Sequence, residues 1–70
     1  MRRTPVDSTS IASIGYDSTT RTLEAAFHND HVYQYLDVPK RVYWELMSAA
    51  SIGRFFNAHI RDEFEARQVT

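Results

Sequence analysis

Arg54, Asn57 and Arg61 recur at steps of three and four residues, so a helix would carry all three on one side. Two guanidinium forks and an amide on one strip can grip the paired oxygens of a phosphate or a carboxylate. The preceding Ser51-Ile52-Gly53 reads as a helix start, with the Ser51 hydroxyl as cap and spare backbone N–H groups for an anion. The same strip also suits a solvated face laced by ion pairs of about 0–1 kcal/mol each. Lys40 and Arg41 form a second basic pair beside Trp44, an indole that falls off the apolar arc of its own segment. Aromatic and basic side chains together are common at contact surfaces. A lone Trp can equally fold over the N-terminal segment or a sheet edge. Tyr33 and Tyr35, two apart in an extended stretch, point the same way. They could stack unpaired bases at about 1–3 kcal/mol each, or line a core with their hydroxyls at its rim.

Other chemistries find less support. His28, Asp30 and His31 share one turn, but a zinc site needs four fixed ligands and no fourth is evident, so no metal is expected. His59 falls on the apolar side of its helix and reads as a satisfied core-edge residue. Asp62, Glu63 and Glu65 read as solvated charge at a helix end rather than an acid–base pair. The serines and threonines sit in turns and caps, not in a nucleophile elbow. With only Gly15 and Gly53, there is no glycine-rich phosphate loop. The expectation is a protein without catalytic residues or cofactors, and not an enzyme.

The elements that would position these residues follow from periodicity. Ser10 to Tyr16 alternates, with Ala12, Ile14 and Tyr16 on one side and Ile11, Ser13 and Gly15 on the other. Asp17-Ser18-Thr19-Thr20 is a run of turn formers whose side-chain oxygens bond their own backbone. A second strand sets Leu23, Ala25 and Phe27 against Thr22, Glu24 and Ala26. His28-Asn29-Asp30-His31 turns the chain into a third strand, Val32 to Leu36. A two-residue turn would put Val32, Gln34 and Leu36 inside. One more loop residue or a bulge would put Tyr33 and Tyr35 inside, which is preferred because Gln34 has no evident core partner.

Pro39 suits the first position of a helix. Val42, Tyr43, Leu46, Met47, Ala49 and Ala50 form that helix's apolar arc. A second helix repeats Ile52, Phe56, Ile60 and Phe64 every fourth residue and is expected to fray near Ala66. The expected fold is α+β: a three-stranded antiparallel β-meander followed by two α-helices on one sheet face. Residues 1–9 read as a flexible segment, 10–66 as one domain and 67–70 as a tail.

Composition narrows the partners. Eight basic and nine acidic residues give a net charge of −1, so any nucleic-acid contact must rest on a local patch. There is no cysteine, hence no disulfide or thiolate metal site. No apolar run follows Arg2-Arg3 and none approaches a membrane span, so a cytoplasmic protein without membrane contact is expected.

The ordered motifs resemble the KTSC domain, named for the C-terminal domain of some lysyl-tRNA synthetases and found also as small stand-alone bacterial proteins. The resemblance is carried by Ser8-Thr9-Ser10-Ile11, Ile14-Gly15-Tyr16-Asp17, Leu23 to Phe27, Tyr33-Gln34-Tyr35, Val38-Pro39 with Val42-Tyr43, and Ser51 to Asn57 with Ile60-Arg61. The turn at Asn29-Asp30-His31 departs from the glycine frequent there in the family. That family has no established activity. The resemblance suggests a binding module with RNA, transfer RNA in particular, as one partner, and the helical surface bearing Lys40, Arg41, Arg54, Asn57 and Arg61 is the contact expected from the residues themselves. The alternative is a protein-interaction or accessory domain, homodimeric or with another protein, using Trp44, the open sheet face or an edge strand.

Overall fold

In a computed structural model that describes residues 1–70, the chain folds as one antiparallel sheet with two helices on one face. The strands are β1 (Arg3–Pro5), β2 (Ile11–Asp17), β3 (Thr22–Phe27), β4 (Val32–Tyr35) and β5 (Ala66–Gln68). The helices α1 (Lys40–Ser48) and α2 (Ile52–His59) lie between β4 and β5 in sequence. Sheet order is β1-β2-β3-β4-β5, with every neighbour antiparallel.

The three expected strands are present, but the sheet has five. Residues 3–5, expected to be loose, pair with β2, and residues 66–68, taken as a helix end and a tail, pair with β4. Both additions are exposed edge strands only three residues long. Their main-chain pairing leaves no apolar alternation to read.

Helix α2 also stops at His59 rather than near Ala66. Each step of four residues overshoots a helical turn by about 40°. A continuous helix would therefore carry Phe64 about 120° round from Ile52. Instead the chain turns after Ile60, whose backbone leaves helical geometry, and both Ile60 and Phe64 pack on the common core.

The second hairpin settles which way the tyrosines point. Asp30 N–H donates to the Phe27 carbonyl at 3.0 Å, and Asp30 has φ 72°, a left-handed conformation that aspartate tolerates. The loop is thus three residues, 28–30, the longer of the two alternatives. Tyr33 then pairs with Ala25 and Tyr35 with Leu23 on the helix side, leaving Gln34 beside Glu24 on the other face.

In β2 a bulge between Ile11 and Ser13 breaks the alternation. It turns Ile11 into the core with Ile14, against the simple two-face reading, and both are fully buried. Leu46 of α1 and Phe56 of α2 close over Ile14, Leu23, Ala25 and Tyr35 in one cluster. No helix is long and apolar enough to cross a membrane.

Candidate nucleic-acid interface

Helix α2 starts against the Ser8-Thr9-Ser10 segment. The Ser8 hydroxyl oxygen accepts from the backbone N–H of Ser10 at 3.3 Å and of Ile11 at 3.2 Å, fixing the entry into β2. Ser51 caps the helix as expected, accepting from the Arg54 N–H at 3.3 Å. His28 Nε2 lies 2.9 Å from the Ser8 carbonyl and ties the second hairpin to the same segment. Between segment and helix runs a groove of about 420 Å³ lined by Asp7, serine and threonine side chains, Gly53, Arg54 and Asn57.

A second depression adjoins it. This cleft of about 480 Å³ shares Ser10 and Asn57 with the groove. Phe27, Tyr33, Tyr35 and Phe56 line it. Their rings meet edge to face at centroid distances of 6.0 Å (Phe27–Tyr33), 5.7 Å (Phe27–Phe56) and 5.2 Å (Tyr35–Phe56). Asn29, Arg61 and Asp62 are also in its lining.

Tyr35 is only 4% exposed, yet its hydroxyl has no hydrogen-bond partner in the protein; by contrast the Tyr33 hydroxyl donates to Gln68 Oε1 at 3.3 Å. Burial pushes the Tyr35 phenol up from its ordinary value, and the Arg61 charge offsets part of that rise. Neither Arg54 nor Arg61 takes part in an ion pair; the pairs in the molecule are Arg3–Glu24, Arg21–Asp37 and Arg41–Glu45.

The structure therefore gathers Tyr33, Tyr35, Asn57 and Arg61 around one cleft and places Arg54 in the adjoining groove. It does not gather the α1 residues there. Lys40 lines a separate shallow depression with Tyr16, Ser18, Arg21 and Pro39, and Arg41 pairs with Glu45 at 3.7 Å. Trp44 is 59% exposed, its ring centroid 6.2 Å from that of Tyr43 and tilted to it.

His31 Nδ1 accepts from the Gln68 amide at 2.8 Å, so the two hairpin histidines serve different partners. His59 is exposed, its ring packed on Phe55 at 4.7 Å instead of sitting at the core edge. The acidic run divides: Asp62 lines the cleft, while Glu63 and Glu65 line another depression with Asp37. Sequence reasoning missed Ser10, Phe27 and Asn29 as lining residues. The Ser8-x-Ser10 spacing, suited to hydroxyl bonding of nearby backbone, was the available signal for the first.

Comparison with known proteins agrees with this architecture. The family model described as the KTSC domain matches residues 7–64. A crystal structure of a KTSC domain protein from Yersinia pestis superimposes with a TM-score of 0.96 at 46% identity, covering 99% of this chain and 97% of that one. An uncharacterized protein of Stutzerimonas stutzeri is 40% identical over 57 residues, 81% of this chain and 80% of its own length. A lysine–tRNA ligase of Trichormus variabilis is 40% identical over 55 residues, 79% of this chain but 10% of the ligase.

Proposed function

Since the chain belongs to the KTSC domain family, we propose that it is a non-enzymatic binding module that holds RNA, transfer RNA included, along the cleft and groove that meet at Asn57. The observation that carries this reading is that two arginines outside any ion pair, Arg54 and Arg61, line neighbouring depressions that share Ser10 and Asn57, with Tyr33 and Tyr35 in the lining of one of them. Guanidinium groups without carboxylate partners keep their forks free for phosphate oxygens. The half-buried rings of Phe27 and Tyr33, with the Asn29 and Asn57 amides in the same lining, suit a base that has left a stack. The similarity to a stretch of lysine–tRNA ligase supports RNA as the partner.

With a net charge of −1, attraction must be local, and two phosphate contacts would give a salt dependence with a log–log slope of roughly −1.4. Titration of isotope-labelled protein with bulk tRNA at low salt tests the reading. Shifts should appear at Asn57, Arg61 and Tyr33, and Arg54→Ala with Arg61→Ala should flatten the salt slope and weaken binding at least tenfold. A titration without shifts at low salt would overturn it.

A second reading, a protein-contact surface on α1, is favoured by the exposed Trp44 indole. Sedimentation of the protein alone and pull-down with the wild type and Trp44→Ala would separate the two. A strict monomer that recovers no partner leaves the RNA reading alone.

A further inference from the structure

We infer that the cleft and groove together form a pocket for a single unpaired nucleotide, its base in the cleft and its phosphate in the groove. This rests on the RNA reading above and specifies what that surface would recognise.

Three features carry the inference. The first is size and shape. A cleft of about 480 Å³ has room for one base and its ribose, and the adjoining groove of about 420 Å³ has room for a phosphate. The second is the contrast between the two linings. The cleft has the half-buried rings of Phe27 and Tyr33 in its wall, with Tyr35 and Phe56 almost wholly buried, and the amides of Asn29 and Asn57, which is an apolar wall and hydrogen-bonding groups for one base. The groove presents Ser8, Ser10 and Ser51 hydroxyls with Arg54, which is chemistry for phosphate oxygens, against one carboxylate in the same lining, Asp7. Ser10 and Asn57 belong to both, so the apolar and anion-binding halves abut as base and phosphate do in a nucleotide.

The third feature is the Tyr35 hydroxyl. Almost all of this side chain is buried, no protein group bonds its hydroxyl, and the cleft is where it is accessible. That hydroxyl meets solvent in the cleft, so a ligand entering there can take the place of water as its hydrogen-bond partner. The Asp62 carboxylate beside it offers an acceptor for an exocyclic amine, and Arg61 offers a donor for a carbonyl or a phosphate.

The test uses the full chain and three probes: a single-stranded trinucleotide, a blunt RNA duplex of matched charge, and bulk tRNA. The trinucleotide should bind at least tenfold more tightly than the duplex, with shifts centred on Tyr35, Asn29 and Asn57. Tyr35→Phe should weaken it several-fold while leaving the unfolding midpoint and the spectrum outside the cleft in place. Duplex binding as strong as trinucleotide binding, or trinucleotide shifts centred on Lys40 and Trp44, would overturn the inference. If tRNA binds and the trinucleotide does not, the pocket is wrong and the RNA reading stands. If neither binds at low salt, both fail.

Discussion

Arg3 reaches across Gly15 to set its guanidinium 2.6 Å from the Glu24 carboxylate, joining β1 to β3 over a strand that offers no side chain in the way. The row continues in register. Gln34 donates to the other Glu24 oxygen at 3.0 Å, and Arg67 donates to the Gln34 carbonyl oxygen at 3.2 Å. The sheet face away from the helices is thus spanned edge to edge by charged and amide groups. That row fastens the two short edge strands, which have little apolar burial of their own.

Acid should loosen this row. Burial opposes ionisation of Glu24, but the Gln34 amide and the Arg3 guanidinium outweigh it, and the folded carboxyl titrates below its ordinary 4.5. A carboxylate depressed on folding contributes its stability in full above the unfolded value and loses it as pH falls through the folded one. Wild-type stability should therefore decline below about pH 4.5, and Glu24→Gln should flatten that acid limb. At neutral pH the variant should lose about 1–2 kcal/mol, discounted because Arg3 is partly in water. Chemical denaturation from pH 3 to 7 measures both. Equal pH dependence in the two proteins would contradict the assignment.

Gly15→Ala should detach the first strand. The added methyl would sit 2.7 Å from the Arg2 carbonyl oxygen and 3.1 Å from Arg3 Cγ, so the β1 backbone would have to move. A loss of about 1–3 kcal/mol is expected for such overpacking. Hydrogen exchange should accelerate in residues 3–6 while β3 and β4 stay protected. Uniform loss of protection would assign the effect to the whole sheet instead.

Much of this architecture is legible in residue order, and the misses share a cause. Leu23, Ala25 and Phe27 alternate cleanly, and the unpaired amide of Gln34 correctly argued for Tyr35 in the core. Ile11 escaped because a bulge is a one-residue change in backbone path that periodicity cannot register. β1 and β5 escaped because strands of three exposed residues form by pairing with a neighbour already in place. For the site, the step from Arg54 to Asn57 on one helix was readable, but Arg61 lies beyond the end of α2 and not on that helical strip. The meeting of Asn57 and Arg61 with Ser10, Phe27 and Asn29 depends on how the chain turns after Ile60 and the second hairpin folds back. Lys40 and Arg41 looked equivalent to the other basic residues in composition alone; α1 carries them to other neighbours.

Tyr16 locks the sheet to the start of α1. Its hydroxyl donates to the Val38 carbonyl at 2.6 Å, and its ring stacks on Tyr43 at 4.8 Å with 10° between planes. Tyr16→Phe keeps the stack and removes the bond, so thermal unfolding should report a loss of about 1 kcal/mol. Tyr16→Ala removes both and should lose about 3–5 kcal/mol, as truncating an aromatic to Ala does. A phenylalanine variant as unstable as the alanine variant would mean that the hydroxyl, not the ring, holds this junction.

Gly53→Ala should separate stability from binding. Gly53 lies in the first turn of α2, where alanine is favoured over glycine by about 0.5–1 kcal/mol. The new methyl would meet the Ser8 hydroxyl oxygen at 3.4 Å and that of Ser10 at 3.6 Å, ordinary contact distances that require no displacement of backbone. The variant should therefore unfold at an equal or higher denaturant concentration than wild type. The same methyl occupies the floor of the hydroxyl-lined groove and covers the oxygens proposed to receive a phosphate. RNA affinity should fall although the fold is firmer, with the loss concentrated in the phosphate contacts and hence in the salt slope. A stabilised variant that binds with an unchanged slope would remove the groove from the interface, whereas a destabilised one would show that the Ser8 segment sits tighter on α2 than these distances allow.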